Sequence, residues 1–300
     1  MISRGIVIHG GVGSSARLRP VCKGICEKAF RMLKKGGPAL EAATEAIRLL
    51  EDDGRFNAGS GSCLRLDGKT IEMDAAVMES SGRLGMVMAV RDVRNPVLAA
   101  RAVVETPHAA LAGQGATLFA RKKGLPASLP VSRRARKRHG EMGRLLREGK
   151  LEERDNRWRG MDMEGLWNFE TPYGEVLPCD TVGAVAWDAS GAAAAAASTG
   201  GAPPMMLGRV GDTAMVGSGF YAGPMAAVAV TGVGEEIMRR MLSRTVYEAI
   251  RGGKGPDAAC REGVSLFPHD ISVGIIAISK GGYGIFANRQ MAAYGLIEEG

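Results

Sequence analysis

The chain has 300 residues, 45% hydrophobic and 24% charged, with a formal net charge of +7. That length carries one large core or two domains, and the balance is that of a globular chain rather than a disordered or fibrous one. No apolar run is long enough to span a bilayer, no opening segment has a signal peptide's apolar core, and five scattered cysteines argue against a disulfide framework; a cytoplasmic protein with no membrane partner is expected.

Ile6–His9 reads as a strand. Helices follow over Pro20–Lys35 and Pro38–Asp52, each opened by proline, the second with Ala39, Ala43, Ala46, Ile47 and Leu50 on one face. Cys22 and Cys26 lie four apart on the first helix without a further ligand cluster, and no catalytic metal is expected. Arg65–Met78 suggests a hairpin turning at Asp67-Gly68, followed by a strand around Met86–Asp92, and Pro96–Glu105 and Pro107–Lys122 read as helices. Residues 121–175 break the pattern, being rich in Arg, Lys, Glu and Gly, with Arg133–Arg138 as the densest basic run. The basic charge keeps a non-cleaving, nucleic-acid-associated protein open as a different-class alternative. Most of it lies in this one segment without interleaved aromatics, so a solvated, mobile linker is the preferred reading. Thr231–Glu236 opens a helix with one largely apolar face running from Ile237 to Ile250, ended by Gly252-Gly253. Ile271–Ser279 and Tyr283–Ala287 form a hairpin around Lys280-Gly281-Gly282. Strands at both ends with helices between them suit a layered α/β sandwich.

Thr181 stands at the head of the apolar run Thr181–Trp187, just after the charged spacer. A threonine hydroxyl is a poor nucleophile without a base. If the chain breaks before Thr181, the new α-amine, with a reference pKa of ~7.7–8.0, lies on the same residue as the hydroxyl. A good strand former is the plain alternative for an isolated Thr-Val-Gly. Asp188-Ala189-Ser190-Gly191 is turn chemistry, and Ala192–Thr199 is a second run of small residues. Read as a hairpin with a four-residue loop, Trp187 pairs with Ala192 and Thr181 falls opposite Ser198, with Thr199 one position away.

Ser198-Thr199-Gly200-Gly201 leads to Gly208-Arg209-Val210-Gly211-Asp212. A guanidinium clamps a carboxylate through two parallel hydrogen bonds, and a carboxylate holds an ammonium, so Arg209 and Asp212 could grip a free amino-acid head; they could equally pair with each other. Thr231-Gly232-Val233-Gly234-Glu235 sits at a helix entry, where backbone N–H groups and close approach at glycine suit an oxyanion hole, or an ordinary helix start.

These motifs, with Ile6-Val7-Ile8-His9-Gly10-Gly11, Phe56-Asn57-Ala58-Gly59-Ser60-Gly61 and Glu72-Met73-Asp74-Ala75-Ala76-Val77-Met78, occur in an order that resembles the plant-type asparaginase/isoaspartyl peptidase family of N-terminal-nucleophile hydrolases. The resemblance covers nearly the whole chain outside roughly 121–175. It implies a four-layer αββα sandwich in one hydrolase domain, 1–300, autocleaved between Asp180 and Thr181 into an α part (1–180) and a β part (181–300). It implies Thr181 as nucleophile, supported by Thr199, with Thr231 and Gly232 on the oxyanion and Asn57 behind the nucleophile. Arg209 and Asp212 would take the substrate's α-carboxylate and α-ammonium, and Gly234 would line the pocket. The implied substrates are L-asparagine and β-aspartyl dipeptides, and the implied assembly is a dimer of cleaved αβ protomers. No cofactor is implied for catalysis; a structural sodium ion would sit on backbone carbonyls of Leu50, Glu51, Asp53, Phe56, Ala58 and Ser60. Asp-Thr at the scissile bond, where most asparaginases of this type have Gly-Thr, keeps a glycosylasparaginase or threonine-aspartase-like hydrolase as the alternative. Ala202–Leu207 lacks the Asn-Lys often found before Gly-Arg-Val-Gly-Asp, which bears on the pocket rim.

Overall fold

The computed structural model of the chain describes residues 1–128, 131–132, 135–137, 139–141, 144, 148, 161–162, 165–166, 168, 181–203 and 205–300. Asp180, Cys179, Arg133, Arg134, Arg138 and most of the expected linker lie outside the described residues.

The chain opens with β1 (Ile2–Val12), crosses α1 (Arg19–Lys34) and α2 (Ala39–Asp53), and returns through β2 (Met73–Glu79) and β3 (Leu84–Val90). After α3 (Pro96–Val103), β4 (Ala110–Ala112) and α4 (Gly113–Lys122) come β5 (Val182–Trp187) and β6 (Ala193–Thr199). These strands form a seven-stranded sheet in the order β11-β1-β5-β6-β2-β3-β4, closed at one edge by β11 (Met291–Glu299). The second sheet has the order β10-β9-β8-β7, from β7 (Phe220–Gly223), β8 (Ala226–Gly232), β9 (Val273–Ser279) and β10 (Gly282–Ala287). Between β8 and β9 run α5 (Gly234–Arg239), α6 (Leu242–Arg251) and α7 (Pro256–Ser265).

Side chains alternate along a strand, so each central strand feeds two cores. Ile6, Ile8, Val182, Ala184, Ala194 and Ala196 pack on one face of the large sheet with Leu33, Ala43 and Ile47 of the helices. Val7, Val185, Trp187, Ala193 and Ala195 face the other way, against Phe220, Ala227, Ala229, Ile276 and Ile278 of the small sheet. The small sheet's outer face buries Val228, Val230, Ile275 and Ala277 against Val246, Tyr247 and Cys260 of α6 and α7. The alanines of β6 let the layers on both sides approach closely.

Four expectations are corrected. Asp67-Gly68 makes a turn but no ladder: the Asp67 carboxylate accepts from Lys69 N (3.0 Å) and Thr70 N (2.9 Å), which consumes the donors a hairpin would need, and β2 pairs instead with β3 and β6. The helix expected from Pro107 starts only at Gly113, because Ala110–Ala112 pairs in parallel with β3. The helix expected after Thr231 breaks in two at Met241, whose φ is +44°; the first-turn donors Ser243 N and Arg244 N of α6 reach the carbonyls of Ser218 (3.1 Å) and Gly217 (2.9 Å), so a loop outside the helix sets where α6 begins. Finally, Trp187 pairs with Ala193 and Val182 with Ser198, one residue away from the expected register. Asp188 holds a longer loop, its carboxylate accepting from Ser190 N (2.9 Å) and Ala192 N (3.1 Å).

Three cysteines, Cys22, Cys26 and Cys260, are free and buried, and burial pushes the first two thiols up to about 12, which makes them inert. Cys63 is disulfide-bonded, a bond the odd and scattered cysteine set did not suggest.

Candidate active site

The one-residue register change decides which hydroxyl stands beside Thr181. Moving a strand by one position exchanges its faces. Ser198 therefore points to the helix side, where its Oγ donates to Glu51 Oε1 at 2.7 Å. Burial pushes the Glu51 carboxyl up to about 8; the hydrogen bonds from Ser198 and the Val97 amide pull the other way. Thr199, not Ser198, faces the same side as Thr181.

Thr181 is 8% exposed. Its Oγ1 lies 3.2 Å from Thr199 Oγ1 and 3.2 Å from Thr213 Oγ1. Thr199 Oγ1 in turn accepts from Gly201 N at 2.9 Å and from Asn57 Nδ2 at 3.4 Å. Asn57 Nδ2 also donates to the Gly201 carbonyl at 2.6 Å, and Asn57 Oδ1 accepts from Cys63 N at 3.2 Å. Asn57 is thus a buried brace that spans the turn after β6 and fixes Thr199 against Thr181. Thr213 had no signal in the sequence; it follows Asp212 in the single turn Asp212–Ala214, which carries it under the β5 terminus.

Arg209 and Asp212 come together at Gly234. A Cβ on Gly234 would lie 2.7 Å from Asp212 Oδ1 and 3.1 Å from Arg209 Nη2, and one on Gly211 would lie 2.7 Å from Arg209 Nη1. Glycine at both places is what lets the guanidinium and carboxylate occupy this space. The Arg209 fork is turned toward Glu235, its Nη2 2.7 Å and its Nε 3.1 Å from Glu235 Oε1. The pairing partner of Arg209 is therefore Glu235, a residue the sequence reading passed over. Asp212 is 3% exposed. Its Oδ2 has no hydrogen-bond partner among the described residues. Burial pushes its carboxyl up to about 7, against the pull of Arg209.

Thr231 is the penultimate residue of β8, is 1% exposed, and its Oγ1 accepts from Val12 N at 3.3 Å. Among the described residues its hydroxyl donates no hydrogen bond. Gly232 has φ +151°, and a Cβ there would strike the Ser272 carbonyl at 2.3 Å, so the residue must be glycine. No hydrogen bond joins Thr231 to Thr181 among the described residues. His9 lies on the same side, with its imidazole against Gly183; burial holds it neutral, its pKa lowered to about 3.

The loop after α2 turns at Gly54, with φ +73°. Ser60 Oγ donates to the Glu51 carbonyl (2.7 Å) and Gly61 N to the Ala58 carbonyl (3.0 Å). Each carbonyl keeps a second lone pair, and the Phe56 carbonyl is directed at Gly61, where a Cβ would lie 1.9 Å away. Backbone carbonyl oxygens are the type of donor that a hard cation takes. Among the described residues no group of three or more His, Cys, Asp or Glu side chains could hold a metal, and no helix is long and apolar enough to cross a membrane.

Two packed sheets with helices outside them define an α/β protein; the hydroxyls of Thr181, Thr199 and Thr213 cluster at the head of β5, and Thr213 directly follows Asp212 in the chain. Comparison with known proteins agrees: the asparaginase family matches residues 2–299. A plant-type L-asparaginase of Pyrococcus abyssi is 38% identical over 98% of this chain and 96% of the relative. An isoaspartyl peptidase/L-asparaginase of Xenopus laevis is 38% identical over 92% of this chain and 86% of the relative, and one of Rattus norvegicus is 37% identical over 94% and 82%. The chain belongs to the asparaginase family.

Proposed function

We propose that the chain is an amidohydrolase that converts L-asparagine to L-aspartate and ammonia and cleaves β-aspartyl dipeptides, with Thr181 as its nucleophile. The names of its relatives support the reaction. The observation that carries the residue assignment is the hydroxyl cluster: Thr181 Oγ1 lies 3.2 Å from both Thr199 Oγ1 and Thr213 Oγ1, and Thr213 directly follows the buried Asp212. The four-layer αββα sandwich is the natural reading of three cores separated by two sheets.

Maturation comes first. Thr181 Oγ attacks the carbonyl carbon of Asp180, the peptide C–N bond breaks as its nitrogen takes a proton, and water hydrolyses the resulting ester. The products are an α part ending at Asp180 and a β part beginning with Thr181, joined as αβ protomers that pair into a dimer. In the matured site the Thr181 hydroxyl attacks the substrate's side-chain carbonyl carbon, and its own α-amine takes the proton. The Thr231 hydroxyl and Gly232 N–H meet the developing oxyanion. Collapse breaks the C–N bond, the amine returns the proton to the departing nitrogen, and water then releases aspartate from the ester.

Arg209 and Asp212 require a free α-carboxylate and α-ammonium. L-Asparagine and β-linked peptides provide both; α-linked aspartyl peptides do not. A sodium ion on the 50–60 loop, held by the carbonyls of Leu50, Glu51, Asp53, Phe56, Ala58 and Ser60, would stiffen the segment that carries Asn57. It would act on thermal stability, which sodium chloride should raise and choline chloride should not.

The test is direct. Purified protein should run as two bands on a denaturing gel, and Thr181→Ala as one band after prolonged incubation. Acid-quenched turnover should leave an aspartyl adduct on Thr181 by mass spectrometry. Normal cleavage of Thr181→Ala, or an adduct on another residue, overturns the assignment.

A further inference from the structure

Arg65 is 0% exposed, the largest fully buried side chain among the described residues. Its Nε lies 3.1 Å from Glu72 Oε2, and the Glu72 side chain is itself only 4% exposed. Burying a charge costs a great deal, and well-packed apolar residues often serve stability equally well or better. The pair therefore calls for an explanation beyond core packing, and the hydrogen bonds its two members make to the backbone supply one. Arg65 Nη2 donates to the Arg209 carbonyl at 3.1 Å. Glu72 Oε2 accepts from Gly208 N at 2.7 Å. The two charges thus hold adjoining backbone groups, one on each side of the Arg209 amide nitrogen and Cα. The other carboxylate oxygen, Oε1, is taken by Arg91 at 2.8 Å, which leaves Glu72 little freedom to turn. Just outside, Asn168 holds both backbone groups of Leu207 at 3.0 Å.

The same segment is referenced to the nucleophile. Glu72 immediately precedes β2, and Asp74 of β2 is the register partner of Thr199 on β6. Glu72 thus pins the backbone just before Arg209, and two residues on Asp74 takes the position facing the hydroxyl beside Thr181. Buried Asp74 lies beneath the same loop; burial raises its carboxyl, and the Ala89 amide and the Arg65 and Arg209 guanidiniums oppose this only in part.

We propose that the buried Arg65–Glu72 ion pair is a positioning element for substrate recognition, fixing the backbone around Arg209 so that its guanidinium meets the substrate's α-carboxylate at a set distance from the nucleophile. The proposal rests on the reading of Arg209 as the carboxylate clamp. A residue with this role acts on ground-state and transition-state binding alike, so its loss raises KM more than it lowers kcat.

The experiment measures KM, kcat and thermal midpoint of the matured enzyme with a β-aspartyl dipeptide. Glu72→Gln, which keeps the shape but removes the charge, is expected to raise KM roughly tenfold while kcat stays within about threefold. Arg65→Lys keeps a buried charge but cannot serve both Glu72 and the Arg209 carbonyl, and should raise KM in the same way. The double variant Arg65→Met/Glu72→Met leaves neither member of the pair buried without the other. It should recover thermal stability relative to either single truncation while KM remains raised, a separation that a purely structural pair would not give. A double variant with native stability and native KM overturns the proposal, as does a fall in kcat at unchanged KM in Glu72→Gln or Arg65→Lys. Arg209→Ala in the same assay keeps the two readings apart. If it leaves KM unchanged, the clamp itself is wrong; if it raises KM while the pair's variants do not, only the positioning role falls.

Discussion

Replacing Asp212 by asparagine should make the substrate-free protein more stable and the enzyme worse, and the gain should depend on pH. Asp212 is buried, one of its oxygens has no hydrogen-bond partner among the described residues, and its carboxyl is pushed up to about 7. An ordinary aspartate ionises near ~3.9, so between about pH 4 and about pH 7 the folded protein holds a proton that the unfolded chain has lost. Stability from this group is full below that window, falls as pH rises through it, and is flat above. The decrease has a ceiling of about 4 kcal/mol, from ~1.4 kcal/mol for each tenfold across roughly three decades, with about 2 kcal/mol a fair expectation after local relaxation. Asparagine fills the same space with no charge to bury. Asp212→Asn should therefore melt close to wild type near about pH 4 and several degrees higher near about pH 8. Calorimetric scans of both proteins without substrate across that range are the assay. With a β-aspartyl dipeptide the same variant should lose affinity, because nothing remains to neutralise the substrate's ammonium. A melting difference that is constant with pH, or larger in acid, would refute the reasoning, since it would mean that Asp212 is ionised throughout.

Thr199→Val removes the acceptor of Gly201 N and Asn57 Nδ2 and frees the Thr181 hydroxyl to rotate; kcat should fall by about 10²-fold with the fold intact by circular dichroism. Arg209→Lys replaces a planar fork by a point charge and should raise KM about tenfold or more in steady-state kinetics, with little change in melting. Gly234→Ala puts a methyl 2.7 Å from Asp212 Oδ1 and 3.1 Å from Arg209 Nη2, and should raise KM for both L-asparagine and β-aspartyl dipeptides by displacing the two groups together.

Much of the fold was legible because its signals are local. The prolines that open α1 and α3 and the apolar face of α2 mark helices without help from the rest of the chain. The all-apolar run Val182–Trp187 marks a strand buried on both faces in the same way. The order of the glycine-rich motifs was enough to indicate the family. Chemistry-bearing residues were also legible where the residue type itself limits the use: a threonine after a charged spacer, an arginine and an aspartate three apart between glycines.

What the sequence could not decide was set by contacts between distant segments. Whether Ser198 or Thr199 stands beside Thr181 turned on a single residue of register, fixed by the Asp188 side chain holding the loop and by β6 pairing on its other edge with β2, Asp74 opposite Thr199. The partner of Arg209 turned on where the entry of α5 folds back over the loop, so Glu235 rather than Asp212 receives the fork. Thr213 joined the hydroxyl cluster only because a short turn carried it there, and Arg65, an unremarked arginine near a turn in the sequence, became the largest fully buried side chain among the described residues. Residue types and local periodicity depend on neighbours within a few positions, and the sequence states them directly. Register, ion-pair choice and burial of a charge depend on which surfaces the packed layers bring together, and only the folded chain contains that information.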